Sequence, residues 1–377
     1  MTGQWNQLKR RSRLMANGLA LLAISSGLPG AYAQTSAPTV TPVVLSQGVE
    51  PKLLDRVAPA YPNVNRQGVE GWVKVLFDVD ATGKVVDPVV IDSSADRHYD
   101  TAFRESVLKA VQEWQYEPAR VDGEPVRRAN MTVFTAFLFN DSAGGTTRKF
   151  HTGYTRVADA LDNDDLEKAR KELDRLASRP RHVLAESAYL DMLEAMWHQK
   201  AGQDLEALRF VEQGLVIADD AAVTRAYDQL LRMSVTQNAL NHNFHTALER
   251  YETLSELDGG LAADDPVHGV AQRIHEILAD EAPIMTEGKL TPCTTCREPE
   301  MMLTRNLNRR QFTIEPTQGQ VDDIRITCGP AHTTVAWAEN IAWQINQDPA
   351  DCKVVIKGDD KTTLQLIEIK AQEDTSA

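Results

Sequence analysis

Hydrophobic and polar positions alternate with period two from Trp72 to Asp80: Val73, Val75, Phe77 and Val79 fall on one face, while Lys74, Asp78 and Asp80 fall on the other. This is the signature of a half-buried strand. Ala81-Thr82-Gly83-Lys84 supplies a hairpin turn, and a second strand is predicted from Val85 to Ile91. Ser93 or Ser94 is placed to cap a helix to about Glu113, with Ala102, Val107, Ala110 and Val111 near one face. Trp114 and Tyr116 close that helix against the sheet, Pro118 stops it, and a turn at Val121-Asp122-Gly123-Glu124 leads to a last strand from Met131 to Phe139. In that strand Val133, Thr135, Phe137 and Phe139 face one way and Thr132, Phe134, Ala136 and Leu138 the other. Apolar residues on both faces suit a strand that takes a partner; an edge covered by the following domain is the competing reading. The pattern predicts a small α+β domain over 51–142, a helix packed on an antiparallel sheet.

After Gly144-Gly145-Thr146-Thr147 the period becomes helical and the chain repeats. Leu166, Leu205 and Phe244 stand 39 residues apart, as do Ala169, Leu208 and Ala247, and Leu176, Leu215 and Leu254. Val157, Met196, Val235 and Ile274 keep the same spacing, and so do Gly153, Met192, Leu231 and Val270. Residues 151–282 are therefore expected to form stacked antiparallel helix pairs with a closing helix, similar to tetratricopeptide repeats of lengthened period. This stretch holds 25 acidic residues against 13 basic ones. A solvated outer face explains much of that; a concave surface for a basic partner is the sharper alternative.

Beyond Pro283 the pattern changes to short strands, predicting a small mostly-β domain over 284–377. Cys352–Lys357 and Thr362–Ile369 are expected to form a hairpin around Gly358-Asp359-Asp360, and Ala336–Asn346 fits helix or strand equally. All four cysteines lie here: Cys293, Cys296, Cys328 and Cys352. Structural disulfides are expected, most simply Cys293 to Cys296 and Cys328 to Cys352. Cys293-Thr294-Thr295-Cys296 also invites a thiol oxidoreductase reading, but Thr291-Pro292 before it does not supply the strand-to-helix context. A four-cysteine zinc site usually has two close pairs, but Cys328 and Cys352 are separated by 23 residues. No cofactor and no metal is expected.

The N-terminus adds an address. Lys9, Arg10, Arg11 and Arg13 precede an apolar run from Leu14 to Ile24, and Ala31-Tyr32-Ala33 offers a peptidase site before Gln34. Residues 1–33 read as a signal peptide, with an uncleaved inner-membrane anchor as the alternative. Removing these four cations makes the formal net charge of −14 more negative by four, which disfavours nucleic acid and anionic lipid. Residues 34–50 show no period and are expected to be a flexible tether. Enzyme signals are weak. Ser106-Val107-Leu108-Lys109 lacks the companion motifs of an acylation site, His275-Glu276 lacks a second histidine, and Asp96, His98 and Asp100 suit a helix start. The chain is not expected to be an enzyme.

The first domain resembles the TonB C-terminal domain family. The resemblance is carried by Pro59-Ala60-Tyr61-Pro62, Gly68-Val69-Glu70-Gly71, Phe77-Asp78-Val79 with Gly83-Lys84-Val85, Asp92-Ser93-Ser94, Asp100-Thr101-Ala102, Trp114-Gln115-Tyr116-Glu117-Pro118-Ala119 and Asp122-Gly123. It implies a periplasmic, Gram-negative envelope location and an energy-transducing role in outer-membrane transport. It also implies strand addition of a receptor's TonB-box peptide along Thr132, Val133, Phe134, Thr135, Ala136, Phe137, Leu138 and Phe139. Two departures stand out. Val57 and Ala58 occupy a segment where the family often has a polar amide, and only about 20 residues of tether replace a long proline-rich spacer. An envelope scaffold without transduction is the alternative function, with inner-membrane association only if the leader is retained.

Overall fold

The computed structural model describes residues 38–62, 69–94, 100–138, 145–179, 183–220, 223–257, 260–293 and 300–371. The expected leader and its cleavage site, Asp96, His98, Phe139 and Cys296 lie outside the described residues, so the Cys293–Cys296 pairing does too. Mixed α+β architecture in successive regions follows the sequence pattern.

The segment expected to be a tether departs from it. Thr39–Val43 forms β1, which pairs in parallel with a strand near the far end of the chain, from Thr39 opposite Ile341 to Val43 opposite Ile345. Val43 and Leu45 are buried, and Leu45 exchanges backbone hydrogen bonds with the Asn346 side chain. Proline and small polar residues hid a strand in which Val43 alone is buried and Val40 is exposed. Gly48–Val49 (β2) and Lys52–Asp55 (β3) then run into the first domain.

That domain continues with β4 (Gly71–Val79), β5 (Val85–Ser93), α1 (Asp100–Gln112), β6 (Gln115–Glu117), β7 (Ala119–Val121), β8 (Glu124–Val126) and β9 (Arg128–Phe137). Its main sheet has the order β5-β4-β9, all antiparallel, while β2-β7-β8 and β3-β6 make two small accessory ladders. Val73, Val75, Phe77 and Val79 face α1, where Phe103, Val107 and Val111 are buried against them. The β4–β5 turn is fixed by the Asp80 carboxylate. It accepts hydrogen bonds from the Thr82 hydroxyl and from the amides of Thr82 and Lys84, and these bonds lower its pKa. Gly83 is required there: its φ is +83° and a Cβ would meet the Tyr116 carbonyl oxygen at 1.9 Å. The amides that a cap at Ser93 or Ser94 would serve lie outside the described residues. Ser93 ends β5 and donates to Asp100, while Ser94 accepts from the Trp72 amide.

Among the described residues seven helices follow: α2 (Arg148–Asp162), α3 (Leu166–Ala177), α4 (Leu184–Lys200), α5 (Asp204–Asp220), α6 (Thr224–Leu240), α7 (Phe244–Glu256) and α8 (Pro266–Ala279). The 39-residue columns mark the interior. Gly153, Met192, Leu231 and Val270 are buried, as are Leu176, Leu215 and Leu254. Leu205 is the exception, 57% exposed although its column mate Phe244 is buried. Thr147, Asp165 and Asp265 cap α2, α3 and α8 with their own side chains. The starts of α4, α6 and α7 have no such local cap.

The C-terminal region adds β10 (Ile284–Lys289), β11 (Thr291–Pro292), β12 (Met301–Asn306), β13 (Gln311–Gln318), β14 (Val321–Cys328), β15 (Ala331–Ala336), β16 (Ile341–Ile345), β17 (Cys352–Gly358) and β18 (Thr363–Ile369). They form two five-stranded sheets, β1-β16-β13-β18-β10 and β11-β12-β17-β14-β15. Phe312, Ile314 and Trp343 of the first share one core with Ile324, Ile326, Val354 and Ile356 of the second, so the pair is a sandwich. The ambiguous stretch resolves as β16. The expected hairpin between β17 and β18 does not exist: β17 pairs with β12 and β14, whereas β18 pairs with β10 and β13. The chain crosses between sheets at Gly358, where a Cβ would meet the Gln320 carbonyl oxygen at 2.1 Å. A disulfide joins Cys328 to Cys352 across β14 and β17.

Candidate peptide-binding edge

β9 lies at one end of its sheet, and among the described residues no strand pairs with its outer edge. Its two faces have different neighbours. Val133 and Phe137 pack with Met131 into the α1 side of the domain. Thr135 is also buried, and its hydroxyl has no hydrogen-bond partner among the described residues.

Phe134 and Ala136 face away from α1 and pack on the helical array, together with Trp72 from β4. The Trp72 and Phe134 rings are 5.2 Å apart and tilted by 31°. The apolar second face is therefore occupied by the chain's own helices, while the hydrogen-bonding edge is not occupied by a strand. Thr132 and Leu138 flank this patch, and Leu138 is exposed.

The motif residues brace the edge from behind. The Tyr61 ring stands edge-on to Phe103 at 5.9 Å and to Phe137 at 6.4 Å, and its hydroxyl donates to the Val69 carbonyl at 2.5 Å. Burial pushes the Tyr61 pKa up. Pro62 follows it directly. Trp114 donates its indole N–H to the Val57 carbonyl at 2.8 Å and stands edge-on to Phe77 at 6.3 Å. Tyr116 is buried, and its amide donates to the Gly83 carbonyl, tying β6 to the first hairpin. Pro118 separates β6 from β7. Val57, the departure in the entry segment, thus serves through its backbone carbonyl and through a side chain packed against the domain core. Ser106, half of the acylation-like motif, donates to the Ala60 carbonyl and so belongs to the same brace.

Two residues whose roles sequence reasoning missed join successive regions of the chain. Glu70, just before β4, is buried and accepts from the Leu184 amide at the start of α4. Asn308 accepts from the Phe244 amide at the start of α7 and donates to the His242 carbonyl and to Glu368. Glu368 also accepts from the amides of Asn308 and Arg309. Each capping oxygen serves a helix that lacks a cap of its own. The available signal was negative: Val183-Leu184 carries no Ser, Thr, Asp or Asn where a helix begins.

A three-stranded antiparallel sheet with one helix across it, and a terminal strand whose outer edge no strand among the described residues pairs, defines the class, a small α+β domain. Residues 57–136 match the family model described as Gram-negative bacterial TonB protein C-terminal. Protein TonB of Pseudomonas aeruginosa is 34% identical over 77 residues, which cover 20% of this chain and 21% of that protein. Protein TonB of Vibrio cholerae is 33% identical over 95 residues, covering 22% of this chain and 37% of that one. Among solved structures, the TonB2 protein of Vibrio anguillarum is 35% identical, with 29% of this chain and 99% of that chain covered and a TM-score of 0.19. The chain thus carries a TonB C-terminal domain at residues 57–136. The match spans well under half of the curated relatives' own length.

Proposed function

We propose that this chain is an envelope protein of TonB type that takes up an extended receptor peptide by strand addition on the outer edge of β9, in the service of outer-membrane transport. The observation that carries the reading is the outer edge of β9, which no strand among the described residues pairs, inside a TonB C-terminal domain. A pairing peptide would gain main-chain hydrogen bonds from the strand, and its side chains would meet Leu138 and the rim of the helical array. The reading makes the protein a binder, not an enzyme, and places it in the periplasm.

Titration of the isotope-labelled full chain with a TonB-box peptide tests this. Shifts should concentrate at the amides of Thr132 to Leu138, and unchanged amides at millimolar peptide would sink the idea.

A second reading, an envelope scaffold without energy transduction, is favoured by the seating of Phe134 and Ala136 on the array and of β1 on the sandwich. No helix among the described residues is long and apolar enough to cross a membrane. N-terminal sequencing of the mature protein separates the two: a chain beginning at Gln34 rules out the membrane-anchored transducer.

A further inference from the structure

Open sheet edges invite pairing, and proteins blunt them with prolines, charges or very short strands. Three of the four edges of the sandwich are blunted in this way. β1 carries Pro42, β10 carries Glu287 and Lys289, and β11 is two residues long and ends in Pro292. β15, Ala331-His332-Thr333-Thr334-Val335-Ala336, has none of these devices. It pairs with β14 over all six residues without a register shift, and among the described residues no strand pairs with its other side.

The direction of its free groups follows from the register. Gly329-Pro330, with Gly329 at φ +57°, is a two-residue hairpin loop, so Cys328 and Ala331 form the hydrogen-bonded closing pair. The other side of β14 agrees: Cys328 and Cys352 have Cα atoms 4.1 Å apart, the close spacing of a pair that is not hydrogen-bonded. Alternation then directs the backbone groups of Ala331, Thr333 and Val335 at β14, and those of His332, Thr334 and Ala336 outward. The same three outward residues are exposed, whereas Ala331, Thr333 and Val335 are buried or half-buried.

We propose that β15 is an interaction edge at which two copies of this chain pair antiparallel about a two-fold axis through Thr334. That register sets Thr334 against Thr334 and His332 against Ala336, so every outward N–H and C=O finds a partner. Threonine pairs are favourable across strands. The edge itself carries no charge that would repel a second copy or recruit a basic peptide. From Pro330 to Ala338 the chain has no Asp, Glu, Lys or Arg, in a protein of formal net charge −14, so the strip neither repels its own copy nor attracts cations. Glu339, the next acid, falls opposite Gly329 of the other copy. Three residue pairs make a small interface, so the association is weak.

Sedimentation velocity on the full chain over a concentration series tests this. The wild type should shift from monomer toward dimer as concentration rises, and the His332, Thr334 and Ala336 amides should exchange more slowly in step. Thr334→Lys and Thr334→Glu each set like charges at the dyad and should weaken the dimer at least about tenfold. Because Thr334 is exposed, both variants should keep the wild-type melting temperature. Mixing the Lys and Glu variants one to one should restore the dimer. A wild type that stays monomeric throughout, variants that dimerise as well as wild type, or a mixture that restores nothing would each overturn the proposal.

Discussion

The Glu70 carboxylate accepts a hydrogen bond from the Leu184 amide at 2.7 Å, and both residues are buried. One side chain thereby satisfies a helix N-terminus 114 positions away and fastens the TonB C-terminal domain to the array. A negative charge is also favourable against the positive end of α4. Glu70→Ala should cost about 1–2 kcal/mol in urea denaturation. Hydrogen exchange should quicken at Leu184 and Ala185 while the α6 interior stays protected. Unchanged exchange at Leu184 would count against the capping role.

Asn308 repeats the device at the other junction, with more at stake because it also serves Glu368. Asn308→Ala removes the α7 cap and one of the donors that solvate a buried carboxylate. The expected loss is about 2–3 kcal/mol. Asn308→Asp should be worse, since it places a second carboxylate beside the first. A ranking with the Asp variant more stable than the Ala variant would contradict this.

The same junction should respond to pH in two opposed ways. Burial, reinforced by Arg305, lowers the His242 pKa below its ordinary value. Below about pH 6.5 the unfolded chain takes up a proton that the folded imidazole resists, so this contribution to stability is lost as pH falls. Burial raises the Glu368 pKa, partly offset by the hydrogen bonds from Asn308 and Arg309. Here the folded state holds the proton more tightly, so stability is lost as pH rises from the ordinary glutamate range through the folded value. His242 has φ +58°, which asparagine tolerates. His242→Asn should therefore fold and show a smaller loss of stability between pH 7 and 5 than wild type. Glu368→Gln should remove the opposite slope. Parallel curves for His242→Asn and wild type would show that the imidazole does not titrate across folding.

The Cys328–Cys352 bridge joins residues 24 positions apart on adjacent strands of one sheet. Replacing both cysteines with serine should destabilise the sandwich by about 3 kcal/mol. Spectra of the α1 domain should be unchanged. A shift in the β9 amides would mean that the two regions are coupled more tightly than their contacts suggest.

Local pattern made much of this architecture legible. The alternation Val73-Val75-Phe77-Val79 identified the core face of β4, and the 39-residue columns identified the buried side of the array. Cys328 and Cys352 were paired as expected. What escaped is non-local. Nothing near Thr39 records that its partner is Ile341, and nothing near Val183 records that its cap is Glu70. The apolar second face of β9 was legible as needing a partner, but Phe134 and Ala136 meet the array, leaving only the strand's edge open. The absent hairpin has a similar cause: β17 and β18 both alternate and flank a good turn, yet Gly358 permits a sharp crossing to the opposite sheet.

The pairing of β1 with β16 also determines where mechanical load would go. Tension applied through the chain ahead of Thr39 would reach the C-terminal sandwich first, loading five parallel residue pairs in shear together with the Leu45–Asn346 clasp. The covalent path to the TonB C-terminal domain lies behind that clasp and would be loaded only after it yields. A force that in a simple tether would arrive directly at β9 is here carried by a sheet built largely from the last fifth of the chain.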